Sequence, residues 1–399
     1  MEQGLTAEEA AGRLGVKPAT LYAYVSRGLL HRHRAPDGRS RFKVEDVERL
    51  RQRGRAAPAR SPGLTVESSI TSVEDHAIFF RGRDALEVAA SQRFEDAVGW
   101  LWTGEAVAIE RWSTDPAAMA TGTCVQNALP ADTLPLDRLR VTVAAIAPTD
   151  PLRYDTGGAA VRVTGGRLIS ALVDTLPLKG PAPEGDGVAA RFWSRLSRRP
   201  APPRLIAVLD AALVLLIDHE LSLSTLSARL AASLLADPYS VVSVGLSSLG
   251  GPLHAVASLA AEDLLAEVSE PGRAAWTIGE RLRRGDRLPG FGHRVHKAGD
   301  PRAAFLLERL RQTCPRSAEM DVVDAILLST RERGLPAPNV DFALAALAHT
   351  TAMTRGASEA IFGLARVAGW IAHALEVYAG GPETAPQVIY VGAPTVPER

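Results

Sequence analysis

The sequence predicts a mainly α-helical protein: a small helix-turn-helix unit at the N-terminus, then a larger helical body. Three observations carry this reading. Apolar residues recur at helical spacing, as in Val161 to Leu176 and Leu205 to Leu216. Strand-like runs are short and confined to the turn around Pro36-Asp37-Gly38-Arg39 and to the stretch from Leu64 to Asp84. Charge is also unevenly spread. Residues 1–61 hold 13 Lys and Arg against 7 Asp and Glu, a balance of +6, whereas the rest holds −6 within a chain of net charge +0.

With 399 residues, 46% hydrophobic and 23% charged, the chain suits two or three soluble domains with a sizeable core. Its neutral total points to neither nucleic acid nor membrane; only the basic N-terminal part has the sign that phosphate binding needs. Two cysteines, Cys124 and Cys314, are too few for a disulfide framework. They fit a cytoplasmic location, and both are expected to be buried thiols. There is no signal-peptide pattern and no run of about 18 uninterrupted apolar residues. Zinc-type Cys/His spacing, a phosphate-binding Gly-x-x-x-x-Gly-Lys loop and a dinucleotide fingerprint are also missing, so no metal and no permanently bound cofactor is expected.

The first helix is expected from Leu5 to Val16, with Thr6 as N-cap, Glu9 three residues on as its capping-box partner, and Gly15 as a stop. A second helix follows over Lys17 to Gly28. The Asp37-Gly38 turn joins two short strands, and Val44 to Arg53 reads as a further helix. Gly28-Leu29-Leu30, Asp37-Gly38-Arg39-x-Arg41-Phe42 and Glu45-Asp46-Val47-x-x-Leu50 resemble the winged helix-turn-helix of the MerR and excisionase type. That resemblance places Thr20, Tyr22, Ala23 and Arg27 toward a DNA major groove and Arg39 and Arg41 near phosphate. A helix-turn-helix kept for packing or protein contact is the alternative. Residues 1–55 form this domain, and residues 56–63, rich in Arg, Ala, Pro and Ser, form a linker.

The most informative stretch is Pro289-Gly290-Phe291-Gly292-His293-Arg294-Val295-His296-Lys297-Ala298-Gly299-Asp300-Pro301-Arg302. Two glycines let the backbone bend and approach a ligand. His293 titrates in the range that suits proton transfer. Asp300-Pro301 starts a helix, which puts Arg302 at its positive end, where a carboxylate can be held. A surface loop before a helix is the plainer reading.

This stretch resembles the citrate synthase signature Gly-Phe-Gly-His-Arg-Val-x-Lys-x-x-Asp-Pro-Arg. Other segments add to the likeness. Asp218-His219-Glu220-Leu221-Ser222 resembles the family's Asp-His-Glu-x-Asn, with Ser222 in place of Asn; taken alone, a histidine at a helix end is more often structural. Gly251-Pro252-Leu253-His254 matches Gly-Pro-Leu-His, though Ala255-Val256-Ala257-Ser258 replaces Gly-Gly-Ala-Asn. Pro338-Asn339-Val340-Asp341-Phe342 matches Pro-Asn-Val-Asp-Phe, and Ala365-Arg366-Val367-Ala368-Gly369-Trp370 matches Ala-Arg-x-x-Gly-Trp. Taken alone, Asp341 would read as a helix cap.

The resemblance, over residues 64–392, implies a helical large domain (64–255 and 351–399) and a small mobile domain (256–350), assembled as a homodimer. It implies an acyltransferase that condenses an acyl-CoA co-substrate, acetyl-CoA first among them, with a 2-oxo acid such as oxaloacetate. His254, His293 and Asp341 take the catalytic roles; His219, Arg302 and Arg366 bind the acceptor; Arg294 and Lys297 contact coenzyme A. The alternative is a DNA-binding transcriptional regulator whose body senses acyl-CoA or an oxo acid without turnover. At the C-terminus Ala385-Pro386-Gln387 stands where the family has Arg-Pro-Arg, so an acceptor carboxylate contact is expected to be missing unless Arg399 or His373 supplies the charge.

Overall fold

A computed structural model describes residues 5–14, 16, 20–21, 24–25, 30–34, 40–43, 47, 66–74, 77–106, 111–183, 185–251, 256–293, 295–315 and 317–381. The chain divides into two compact units, residues 1–67 with 386–399, and residues 68–385.

In the first unit β1 (Leu5–Thr6) leads directly into α1 (Ala7–Leu14). The expected capping box forms there: Thr6 N and Oγ1 donate to Glu9 Oε2, and Glu9 N donates back to Thr6 Oγ1. β2 (Arg32–Arg34) and β3 (Ser40–Phe42) pair antiparallel, as the Asp37-Gly38 turn signal predicts. β1 completes the sheet against β3, with Leu5 opposite Phe42. Leu5, Ala10, Leu21, Leu30, Phe42 and Val47 close the small core.

The second unit opens with a three-stranded antiparallel meander, β4 (Thr71–Glu74), β5 (Ala77–Phe80) and β6 (Arg83–Asp84). Seven helices follow: α2 (Ala85–Ser91), α3 (Phe94–Thr103), α4 (Pro116–Ala128), α5 (Pro135–Ile146), α6 (Gly158–Asp174), α7 (Val188–Leu196) and α8 (Pro203–Leu215). After the segment holding His219 come α9 (Leu223–Ser233), α10 (Pro238–Leu249), α11 (Val256–Val268), α12 (Ala274–Arg283), α13 (Pro301–Thr313), α14 (Ala318–Glu332), α15 (Val340–Thr350) and α16 (Ala357–Gly380). Asp-Pro pairs start three of these helices. Asp115, Asp237 and Asp300 accept from backbone N–H groups of the first turn while the following proline, which lacks the donor, fills the first helical position.

α16 is the helix around which the body is built. By length and composition it could cross a membrane, but it runs through the protein core. It packs on α6, α9 and α10, and Trp370 on it is fully buried. Gly245 on α10 makes room for that ring: a Cβ there would stand 2.5 Å from it. Gly369 lets α16 approach the chain after α8, since a Cβ would stand 2.2 Å from the Ile217 carbonyl oxygen. The small residues of these helices thus serve close packing next to Asp218 and His219.

The cysteine expectation needs correction. Cys124 is exposed and Cys314 is half-buried. α4 carries only weak apolar periodicity and buries just Ala118, Gly122 and Gln126, so Cys124 lies off its inward face.

Candidate functional site

The site begins with the way the 289–302 loop is fastened. Gly292 N donates to the Ala337 carbonyl (2.8 Å) and Asn339 N to the Gly290 carbonyl (2.9 Å). Asn339 Nδ2 donates to the Gly292 carbonyl (2.9 Å), and Val340 N donates to Asp300 Oδ2 (3.0 Å). Gly290 has φ +80°, and a Cβ there would lie 2.7 Å from Phe342 Cβ, so both its backbone angle and the space demand glycine. These bonds make the histidine loop and the start of α15 one rigid piece.

Asn339 is also the N-cap of α15, accepting from Asp341 N and Phe342 N. The cap is therefore filled, and the Asp341 carboxylate is released from that duty. Asp341 Oδ1 accepts the hydroxyl of Ser258, a fully buried residue of α11. Burial pushes the Asp341 carboxyl above its usual range, while the Ser258 bond and the Arg302 charge pull it back in part.

Three imidazoles, those of His219, His293 and His296, form a cluster. The rings of His219 and His293 lie 5.5 Å apart, those of His219 and His296 5.3 Å, and those of His293 and His296 4.7 Å. His293 Nδ1 accepts from Val295 N (3.1 Å) and His296 N (3.0 Å). A nitrogen that accepts two N–H groups carries no proton, so His293 holds its proton on Nε2. Burial, then the Arg302 charge, lower its pKa to about 4; at neutral pH it is an uncharged donor. His219 is pushed down further, by burial and by the charges of Arg302 and Arg366.

Arg302 is almost fully buried and forms a bidentate pair with its helix cap: Nε and Nη2 reach Asp300 Oδ1 and Oδ2 at 3.0 and 2.9 Å. Burial alone would raise Asp300, but Arg302 outweighs it and holds the carboxyl at about 2. Nη1 of Arg302 makes no hydrogen bond among the described residues and still offers donors. Arg366 on α16 donates Nε–H to the Leu216 carbonyl (3.0 Å) and lies over the Phe362 ring at 5.0 Å. Burial lowers its pKa only to about 10, so it stays charged at neutral pH, and neither Nη atom hydrogen-bonds to a described residue.

The charged Asp218-His219-Glu220 triplet, unusual after an apolar helix, finds its partners. Glu220 accepts from Val73 N at 2.9 Å. Asp218 Oδ2 lies 3.3 Å from His373 Nε2, while His373 Nδ1 faces Arg229 Nη1 at 2.8 Å. Arginine can only donate, so His373 Nδ1 is bare and Nε2–H points at Asp218. His373 is thereby held between Asp218 and Arg229.

Of the residues singled out from the sequence, His219, His293, Arg302, Arg366 and Asp341 converge, each close enough to another for its charge or hydrogen bond to act on it. Lys297 is exposed on the turn after them. In the N-terminal unit Thr20 is exposed and Arg41 sits half-buried on β3. His254, Arg294, Tyr22, Ala23, Arg27, Arg39, Ala385, Gln387 and Arg399 lie outside the described residues. Sequence reasoning missed three contributors. His296 fills the variable slot of the signature, Ser258 replaces an expected Asn, and Asp300 was read only as a helix start. No group of three or more His, Cys, Asp or Glu suited to a metal ion occurs among the described residues.

Comparison with known proteins bears on this arrangement. The family described as "Citrate synthase, C-terminal domain" matches residues 63–383, and "Helix-turn-helix domain" matches residues 5–55. Citrate synthase 2 of Bacillus subtilis is 34% identical over 213 residues, covering 52% of this chain and 57% of that protein. The match thus spans little more than half the length of that curated relative. 2-Methylcitrate synthase 1 of Corynebacterium glutamicum is 27% identical over 354 residues, 82% of this chain and 92% of that protein. Among solved structures, citrate synthase from Thermotoga maritima superposes with a TM-score of 0.66 at 25% identity, covering 84% of this chain and 96% of that one.

Proposed function

The chain belongs to the citrate synthase family and carries a helix-turn-helix domain; from that premise we propose that it condenses an acyl-CoA, acetyl-CoA first among them, with a 2-oxo acid and releases coenzyme A. Asp341 takes a proton from the α-carbon of the acyl group while His254 donates to the thioester oxygen, giving an enol. The enol carbon attacks the oxo carbon of the acceptor, whose oxygen takes up the His293 Nε2 proton. Water then hydrolyses the thioester of the product and frees the thiol.

The observation that carries this reading is the fastening of Asp341 to the His293 loop through Asn339 and Asp300. A base and an electrophile held on one rigid piece meet the demand that proton removal and carbon–carbon bond formation share one geometry. A raised carboxyl pKa at Asp341 makes a stronger base, and a neutral imidazole donor suits a carbonyl that becomes an alkoxide. Free Nη donors on Arg302 and Arg366 suit acceptor carboxylates. Lys297 and Arg294 are assigned to the coenzyme A phosphates. Residues 256–350 are assigned to a small domain that closes over the enol, in a cytoplasmic homodimer. Release of free thiol from acetyl-CoA and oxaloacetate by the purified chain tests the reading.

A second reading has its own support. The helix-turn-helix match and the +6 balance of residues 1–61 favour contact with duplex DNA, which would make the body a sensor of acyl-CoA or oxo acid. Acyl-CoA binding without thiol release, together with ligand-dependent DNA binding, would select it.

A further inference from the structure

His219 and His296 face each other Nε2 to Nε2 at 3.1 Å. At that distance the two nitrogens need one proton between them: two lone pairs repel, and two N–H groups clash. Burial and the nearby Arg302 and Arg366 charges keep His219 uncharged at neutral pH, so it has only one N–H to place. If His219 Nε2 is the donor, His219 Nδ1 is a bare lone pair, which repels an anionic ligand. If His296 Nε2 is the donor, His219 carries its proton on Nδ1. That nitrogen makes no hydrogen bond to a described residue and can donate outward.

We propose that His296 is a positioning residue that donates Nε2–H to His219 and so holds His219 in its Nδ1–H form, a neutral donor toward a carboxylate of the acceptor. The inference rests on the acceptor-binding role given to His219 above. His296 is almost fully buried and sits on the turn whose backbone N–H groups fix His293. One turn therefore sets two tautomers: Nε2–H on His293 through the backbone and Nδ1–H on His219 through the His296 ring. His296 stands in the variable slot of the signature, so the device belongs to this chain and does not follow from the motif.

The test uses the full chain with ¹⁵N-labelled histidine, assigned with single His→Gln variants. Long-range proton–nitrogen spectra are expected to show a protonated-type Nδ1 and a bare-type Nε2 on His219. The reverse pattern overturns the proposal whether or not the protein turns over. Oxaloacetate binding, followed by calorimetry, gives the second arm. His296→Phe is expected to weaken it roughly tenfold with little change in the melting transition, and His296→Gln, which keeps a donor, is expected to restore most of it. Equal affinity in the unaltered chain and His296→Phe overturns the proposal. If the unaltered chain binds no oxaloacetate, oxaloacetate is not its acceptor and the spectra alone decide the tautomer. If His296→Phe does not fold, the spectra and His296→Gln decide.

Discussion

Ser258 on α11 donates its hydroxyl to Asp341 at the start of α15, joining two helices through the candidate base. That bond favours the ionised carboxylate, whereas burial opposes it. Activity that needs ionised Asp341 falls as pH drops through its pKa. Ser258→Ala is expected to move this acid limb of kcat/KM to higher pH. A limb that stays in place in a folded variant would separate Ser258 from the base.

Asp341→Ala removes the base itself. Turnover is expected to fall on the order of 10²–10⁴-fold while the thermal transition changes little, because the cap of α15 is Asn339. Unchanged turnover in a folded variant would take Asp341 out of the mechanism.

A second carboxyl pair lies at the start of α16. The first turn of α16 has no cap of its own from Gly356; instead Glu262 on α11 accepts from Gly356 N, Ser358 N and the Ser358 hydroxyl. Glu359 beside it is buried, and burial together with the Glu262 charge raises its pKa to about 7. A raised folded-state pKa contributes stability that is complete below the unfolded value and is lost as pH rises through about 7. Glu359→Gln should therefore match the unaltered chain near pH 4 and exceed it at pH 8, by about 1–3 kcal/mol once solvent screening is allowed for. Equal denaturation midpoints at both pH values would show that Glu359 is not perturbed.

The basic N-terminal unit is expected to bind duplex DNA, with affinity falling tenfold or more between roughly 50 and 200 mM salt. Gel shifts with the full chain and with residues 1–61 measure this. No shift on any duplex at low salt leaves the unit as a packing or protein-contact module.

Much of this was legible in the sequence because local chemistry spells it out. Thr6 with Glu9 and the Asp-Pro helix starts each satisfy backbone groups within a few residues, so their signal is local. The His293 and Asp341 segments were visible as contiguous motifs. What stayed hidden depends on contacts far apart in the chain. His296 reaches His219 across 77 residues, Ser258 reaches Asp341 across 83, and Arg229 reaches His373 across 144. Tautomers, above all, are set by such partners and not by residue type.

The C-terminal Ala385-Pro386-Gln387 bears on which acceptor is used. Losing one charge-assisted carboxylate contact costs about 1.5–3 kcal/mol, roughly ten- to a hundredfold in affinity. Oxaloacetate is accordingly expected to be a weak acceptor, or a 2-oxo acid with one carboxylate fewer to be preferred. A low-micromolar KM for oxaloacetate with brisk turnover would show that the replaced arginines do not matter.

The most direct test of the central claim is thiol release from acyl-CoA by the purified full chain. Acetyl-CoA and propionyl-CoA are each offered with oxaloacetate and with monocarboxylic 2-oxo acids. The account predicts release that requires both donor and acceptor and collapses in Asp341→Ala. Acyl-CoA binding with no acceptor-dependent thiol release from any pair would contradict it and leave the body as a sensor.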